Sequence, residues 1–134
     1  MECNYQLKEG YMRISMPREV DHHCAGQLRQ EADLLIGAYH VRKLVFDFSN
    51  TEFMDSSGIG VIIGRCKHMG YAGGTVTAEN LNDRIRKIFL VSGLCKLVSV
   101  EPQEGALQTG TGRMREEMHI IRSEHGAEEK KDGK

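Results

Sequence analysis

The sequence predicts a single α/β domain, in which a mixed sheet of about five strands begins with an N-terminal hairpin and continues through β-α units with about four helices packed against it. Short β-type runs alternate along the chain with longer segments whose apolar residues have helical spacing. At 134 residues the chain is long enough for one domain with a hydrophobic core and too short for two. We therefore expect one folding unit.

The N-terminal segment predicts a hairpin followed by a helix. Apolar residues around Tyr5 and from Tyr11 to Met16 flank the turn sequence Lys8-Glu9-Gly10, which is typical of a β-hairpin. Asp21 is a candidate N-cap for the helix that follows. That helix has one core-facing side, formed by Ala25, Leu28, Ala32, Leu35, Ile36 and Tyr39.

A helix start is predicted in the middle of the chain. The run Lys43 to Phe48 is a short apolar strand, and further on Ile59, Ile62, Ile63 and Cys66 fall on one face of a helix. Between them, Ser56 or Ser57 can act as the N-cap, and Asp55 lies where a carboxylate interacts favourably with the helix dipole. Gly58 and Gly60 are expected to leave the exposed side of the first turn without side chains, so that another molecule can approach the backbone.

A serine hydroxyl at a helix start has three interpretations. It can be a cap only. It can be a hydrolase nucleophile with His22 or His23 as its base, although Met54 to Gly58 does not match the G-x-S-x-G pattern. It can also be a phosphate site, where a phosphoryl group would bring roughly −1.5 to −2 charges next to free N–H donors.

The C-terminal half predicts one more β-α unit and a last strand. Thr75 to Ala78 is a short strand, and Asn80 or Asn82 opens a helix that ends at Gly93, a residue suited to the left-handed C-cap conformation. Leu97 to Val100 is the last strand. The apolar side of the helix is formed by Leu81, Ile85, Ile88 and Phe89, whereas Arg84, Arg86 and Lys87 are expected to face solvent.

Beyond the last strand, the sequence predicts no further β-α unit. Residues 103–108 begin like a helix, but the glycines of 109–112 predict a break. Met114, Met118 and Ile121 then return to helical spacing. We divide the chain into a domain at 1–108, an added C-terminal helix at 109–122 and a charged, disordered tail at 123–134.

Composition and charge exclude several classes of function. The formal net charge is −1, with 18 basic and 19 acidic residues, which gives no reason to expect a nucleic acid or a membrane as partner. No apolar run approaches the roughly 20 residues of a membrane span, and the polar N-terminus does not resemble a signal peptide, so we expect a cytoplasmic protein. The four cysteines contain no C-x-x-C pair, and His22 and His23 have no further ligand at matching spacing. We therefore expect no metal and no cofactor.

Three blocks of the sequence resemble one family. Phe53 to Arg65, with the sequence FMDSSGIGVIIGR, closely resembles the phosphorylation-site segment of the bacterial anti-sigma-factor antagonists of the STAS-domain family, and most resembles those of sporulation in Firmicutes. Asp21-His22-His23 and Ile88 to Lys96 resemble the same family and occur in the family's order. The resemblance spans residues 4–107, with a departure at Met16 to Val20 that leaves the connection between strand and helix open.

This resemblance implies a STAS-type fold and a binding module, not an enzyme. It implies that the unphosphorylated protein, a monomer when free, binds an anti-sigma factor that is also a serine kinase and thereby releases the sigma factor. The kinase would inactivate it by phosphorylating Ser56, and a PP2C-type phosphatase would restore it. The partner-binding residues expected on this basis are Asp21, Asp55, Ser56, Ser57, Gly58, Ile59 and Gly60. The alternatives are a STAS scaffolding module of a stress-signalling complex under a different kinase and, remotely, the serine hydrolase.

Overall fold

The computed structural model describes residues 3–101 and 119–122. In chain order its elements are β1 (Asn4–Lys8), β2 (Tyr11–Ser15), β3 (Glu19–Val20), α1 (His22–Ala38), β4 (Lys43–Asp47), β5 (Phe53–Met54), α2 (Ser56–Tyr71), β6 (Thr75–Glu79), α3 (Asp83–Ser92), a 3-10 turn (Leu94–Lys96), β7 (Ser99–Glu101) and β8 (His119–Arg122).

The main sheet is mixed, as the sequence predicts. Its strand order is β7-β6-β4-β2-β1-β8. The hairpin strands β1 and β2 are antiparallel, whereas β2, β4, β6 and β7 pair in parallel, because the connections through α1, α2 and α3 return the chain to the same end of the sheet. These five strands confirm the predicted sheet, and β8 adds a further strand at the edge of β1.

The described residues contain three α-helices, not the expected four or so. After α3, Gly93 adopts φ 86° and the chain makes only a single 3-10 turn before β7. The segment 103–108, which begins like a helix in sequence, lies outside the described residues.

The C-terminal helix predicted for 109–122 is wrong over its last four residues, which form β8. They pair antiparallel with β1, from Asn4↔Arg122 to Leu7↔His119, and Ile121 packs against the core. The outer edge of β1 offers backbone N–H and C=O groups that a strand can pair and a helix cannot. The remainder of the predicted helix and the tail at 123–134 lie outside the described residues.

The hydrophobic core lies between one face of the sheet and the three helices. Alternate residues of the strands join buried residues of the helices in one cluster, which includes Leu44 and Phe46 of β4, Leu28 of α1, Ile62 of α2 and Phe89 of α3. On β2, Arg13 lies between two core residues and points to the other face of the sheet. It forms ion pairs with two carboxylates there, with 3.1 Å from Nη2 to Asp47 Oδ2 and 2.7 Å from Nη1 to Glu79 Oε1. This ion pair network links β2, β4 and β6.

A second, two-stranded sheet positions the candidate site. β3 and β5 pair in parallel, with Glu19 opposite Phe53 and Val20 opposite Met54. The connection from Met16 to Val20, which departs from the family pattern, is therefore partly a strand. Since β3 leads into α1 and β5 leads into α2, this small sheet places the N-termini of the two helices next to each other.

Candidate functional site

Two aspartates cap the adjacent helices. Asp21 follows β3 and caps α1, and its Oδ1 accepts a hydrogen bond from the His23 N–H at 3.0 Å. Asp55 follows β5 and caps α2, and its Oδ1 accepts from the N–H groups of Ser57 at 2.8 Å and Gly58 at 3.2 Å. The Asp55 N–H donates to the Val20 carbonyl at 3.2 Å, which ties the start of α2 to β3. Asp21 was predicted as a cap, and this is confirmed.

The expectation that Ser56 or Ser57 caps α2 is wrong, because Asp55 is the N-cap. Ser56 is the first residue of the helix and is exposed, whereas Ser57 is half-buried. No described hydrogen bond involves the Ser56 hydroxyl, and the Ser57 and Gly58 N–H groups donate to the carboxylate of Asp55 instead. The hydroxyl of Ser56 is therefore open to a second molecule.

Two of the free N–H donors expected for a phosphoryl group, those of Ser57 and Gly58, are occupied, because they donate to the Asp55 carboxylate. The Ile59 N–H donates to the Asp55 carbonyl at 3.1 Å, whereas no described hydrogen bond involves the Ser56 N–H. A phosphate on Ser56 would have to compete with a carboxylate already bound to the helix N-terminus. It would then need other groups to offset its charge.

The two glycines of this turn differ in their surroundings. Gly58 is buried, and a Cβ at this position would lie 2.5 Å from the Val20 carbonyl oxygen and 2.7 Å from Met54 Cγ. Gly60 is exposed, and a Cβ there would have no other atom within 4 Å. The prediction that both glycines open the exposed side is thus wrong for Gly58, which lets α2 pack on the backbone of β3.

Two histidines complete the site. His22 Nδ1 lies 3.9 Å from Asp55 Oδ2, across the gap between the helices, and His23 Nδ1 lies 3.6 Å from Asp21 Oδ2 on its own helix. The two imidazole rings are 4.0 Å apart between centroids. Both side chains are mostly exposed, at 68% for His22 and 79% for His23. Each imidazole is thus close to one carboxylate.

The carboxylate of Asp21 is held in its ionised form. Loss of hydration acts to raise its pKa, but hydrogen bonds from the His23 backbone and the interaction with the His23 ring outweigh this and lower the pKa below its ordinary value. A negative charge thus lies at the start of α1, next to the start of α2.

The seven residues expected to bind a partner lie together at the starts of α1 and α2, but only some of them are exposed. Ser56 and Gly60 are exposed, Asp21, Asp55, Ser57 and Ile59 are half-buried, and Gly58 is buried. Phe53, directly before the site, is 45% exposed although it is aromatic. The sequence predicts neither Phe53 nor His22 as a partner-binding residue, and it offers His22 only as the base of the hydrolase interpretation, because the pairing of β3 with β5 is what reveals their positions.

The arrangement does not reproduce a hydrolase. In the described residues, the hydrogen bonds do not link Ser56 to an imidazole, and His22 is directed towards Asp55. No group of three or more His, Cys, Asp or Glu residues within 3–101 and 119–122 could hold a metal ion. Likewise, no helix in the described part of the chain is long and apolar enough to cross a membrane.

Comparisons with known proteins agree with this architecture. The family model of the STAS domain matches residues 3–107. The anti-sigma F factor antagonist of Paenibacillus polymyxa is 32% identical over 104 residues, which cover 78% of this chain and 89% of the relative. The anti-sigma-B factor antagonist of Bacillus subtilis is 29% identical over 111 residues, which cover 81% of this chain and 100% of the relative.

The solved structures of SpoIIAA, an anti-sigma factor antagonist, are also similar. Its unphosphorylated form superposes with a TM-score of 0.67 at 28% identity and covers 79% of this chain and 92% of its own. Its phosphorylated form gives a TM-score of 0.60 at 29% identity and covers 75% of this chain and 91% of its own.

Proposed function

The chain belongs to the STAS-domain family, and we propose that it acts as an anti-sigma-factor antagonist controlled by phosphorylation of Ser56. In its unphosphorylated form it binds an anti-sigma factor that is also a serine kinase, and the sigma factor is released. The relatives named above are antagonists of anti-sigma factors, and the similarity to them extends over the described domain.

One observation carries the proposal for the switch. Ser56 is exposed, its hydroxyl has no described hydrogen bond, and it lies next to a cap that does not depend on it. The kinase can therefore reach the hydroxyl and modify it without removing an interaction that holds the fold. A PP2C-type phosphatase can remove the phosphate from the same exposed position.

The phosphate acts on binding and not on folding. Asp55 continues to cap α2, so the helix start keeps its hydrogen bonds. A contact surface that covers Ser56 must take up roughly −1.5 to −2 additional charges, close to the carboxylates of Asp21 and Asp55. Desolvating these charges, or placing them against an acidic partner, costs several kcal/mol, which corresponds to more than about a hundredfold in affinity.

The proposed partner-binding surface is formed by exposed and half-buried residues around this position. It comprises Asp21, Asp55, Ser56, Ser57, Ile59 and Gly60, with Gly58 supporting the surface from beneath. Since Gly60 has no side chain and a Cβ added there would meet no other part of the protein within 4 Å, the partner's side chains can reach the backbone of α2 at this position.

Incubation with the cognate kinase and ATP, followed by tandem mass spectrometry, tests the assignment. Wild-type protein and Ser57→Ala should carry one phosphate on Ser56, and Ser56→Ala should remain unmodified while still binding the kinase. Phosphate on Ser57 of the wild type would refute the assignment. A pulldown with Ser56→Ala from the source cells identifies the kinase. Recovery of a stress-signalling assembly in place of a sporulation kinase would favour the scaffolding alternative.

A further inference from the structure

A phosphate on Ser56 enters a site whose nearest described charges include two carboxylates. Asp55 is the adjacent residue, and Asp21 caps the neighbouring helix. Two of the N–H groups that a phosphate at a helix start would ordinarily use, those of Ser57 and Gly58, already donate to Asp55. The single remaining N–H, that of Ser56, cannot offset a dianion beside two carboxylates, so a cation from outside α2 would stabilise it.

His22 is the side chain that reaches across to α2. It is the first residue of α1, its Nδ1 lies 3.9 Å from Asp55 Oδ2, and 68% of its side chain is exposed. Because the side chain is not buried, the imidazole can rotate towards a phosphate on Ser56, the residue that follows Asp55. His23 is equally exposed but lies on the Asp21 side, 3.6 Å from the carboxylate of its own helix.

Other charged groups in this region are engaged elsewhere. Arg18 bonds to Glu52 at 3.0 Å, one residue before β3 and β5 begin, which is the end of the small sheet away from Ser56. Arg84 of α3 donates to the Glu52 carbonyl at 3.5 Å at the same end. Glu19 lies on β3 and adds a further negative charge. Among the described residues, His22 and His23 are thus the groups at the helix starts that can become cationic.

We propose that His22 binds the phosphate on Ser56, bridging it to Asp55 across the gap between the two helices. This rests on the proposed phosphorylation of Ser56. Protonated imidazole supplies two N–H donors, one for the Asp55 carboxylate and one for a phosphate oxygen. The bridge offsets part of the repulsion between the dianion and the two carboxylates, and it locks α1 and α2 together at the surface that the partner would cover.

The bridge predicts the direction in which the second pKa of the phosphoserine changes when His22 is replaced. The second ionisation of phosphoserine lies near pH 6, and a neighbouring cation favours the dianion. Removing the imidazole at position 22 should therefore shift the phosphate titration to higher pH. Removing the imidazole at position 23 should not, because that ring faces Asp21.

The test uses the full chain with phosphoserine incorporated at position 56 during translation, so that it does not depend on any kinase. The ³¹P resonance is followed from pH 4 to 8 in this protein and in its His22→Gln and His23→Gln versions. We expect the midpoint of His22→Gln to lie about 0.5 pH units or more above that of the parent, a threefold change in proton affinity, with His23→Gln within about 0.2 units of the parent.

An unchanged midpoint in His22→Gln would overturn the proposal, and so would an equal shift in His23→Gln. Both residues are exposed, so neither substitution should impair folding, and a melting curve verifies this. If the kinase assay instead places phosphate elsewhere than Ser56, the proposed function fails, while the ³¹P result still reports whether His22 binds phosphate at this position.

Discussion

Replacing Gly58 by alanine should destabilise the protein, although the same change elsewhere in a helix usually stabilises it. The added Cβ would lie 2.5 Å from the Val20 carbonyl oxygen, 2.7 Å from Met54 Cγ and 2.8 Å from Val20 Cγ1. The nearest of these atoms is backbone and is fixed by the pairing of β3 with β5, so α2 must move away from the small sheet. Overpacking of this kind costs about 1–3 kcal/mol.

Gly60→Ala is the matched control. It lies two residues further along the same helix, is exposed, and has no atom within 4 Å of the added Cβ. Both substitutions gain the same helix propensity, up to about 1 kcal/mol. The difference between the two unfolding free energies therefore isolates the clash.

Urea denaturation followed by circular dichroism measures this difference. We expect Gly60→Ala to be slightly more stable than wild type and to exceed Gly58→Ala by about 1–3 kcal/mol, with similar m-values. If the two variants unfold at the same urea concentration, the close approach of α2 to β3 is wrong. The placement of the two helix starts, on which the site depends, would then have to be revised.

Three other perturbations test the core, the cysteines and the sheet edge. Ile62→Ala should lower the free energy of unfolding by about 2–5 kcal/mol in a denaturant titration, because Ile62 is 0% exposed. A change near zero would mean that Ile62 does not lie on the buried face of α2. A thiol reagent at pH 8 should label the exposed Cys95 and leave native Cys3 unmodified, since burial raises the pKa of Cys3 to about 12; rapid labelling of Cys3 would contradict its burial. Deleting residues 123–134 should leave the melting temperature unchanged. Deleting residues 102–134 should lower it, because β1 then loses its pairing with β8. Equal melting temperatures for the two deletions would refute a stabilising role for β8.

Local sequence patterns predicted most of the fold. The caps Asp21 and Asn82 and the left-handed Gly93 are confirmed, because capping depends on residues within one turn of the helix end. The hairpin is confirmed for the same reason, since a short glycine turn fixes the pairing of β1 with β2. Features decided by neighbours in sequence were therefore accessible without a structure.

Features that depend on contacts between residues distant in sequence could not be predicted from the sequence. Two-residue strands such as β3 and β5 have no periodicity to detect, and their pairing joins Glu19 to Phe53. Without that pairing, Gly58 cannot be assigned to the buried side. The strand β8 was read as a helix, because a few apolar residues fit either period and the open edge of β1 decides between them.

The residues at the start of α2 were predicted, but their roles in capping the helix were not. Its serine was identified through the family resemblance, and the structure places it on the surface, next to Asp21 and Asp55. The sequence predicts Ser56 or Ser57 as the cap and gives Asp55 only a favourable interaction with the helix dipole, whereas Asp55 is the N-cap. Asp55 takes the role because it directly follows β5, where its carboxylate reaches the N–H groups of the first turn.

The affinities of the unmodified and the Ser56-phosphorylated protein for the cognate anti-sigma kinase show whether phosphorylation of Ser56 switches binding off. Isothermal titration calorimetry with both forms, alongside their melting curves, separates binding from folding. We expect phosphorylation to weaken binding by more than about a hundredfold while the melting temperature stays nearly unchanged, because the charge is added to a contact surface and Asp55 still caps α2. Equal affinity of the two forms, or loss of binding only through unfolding, would contradict it.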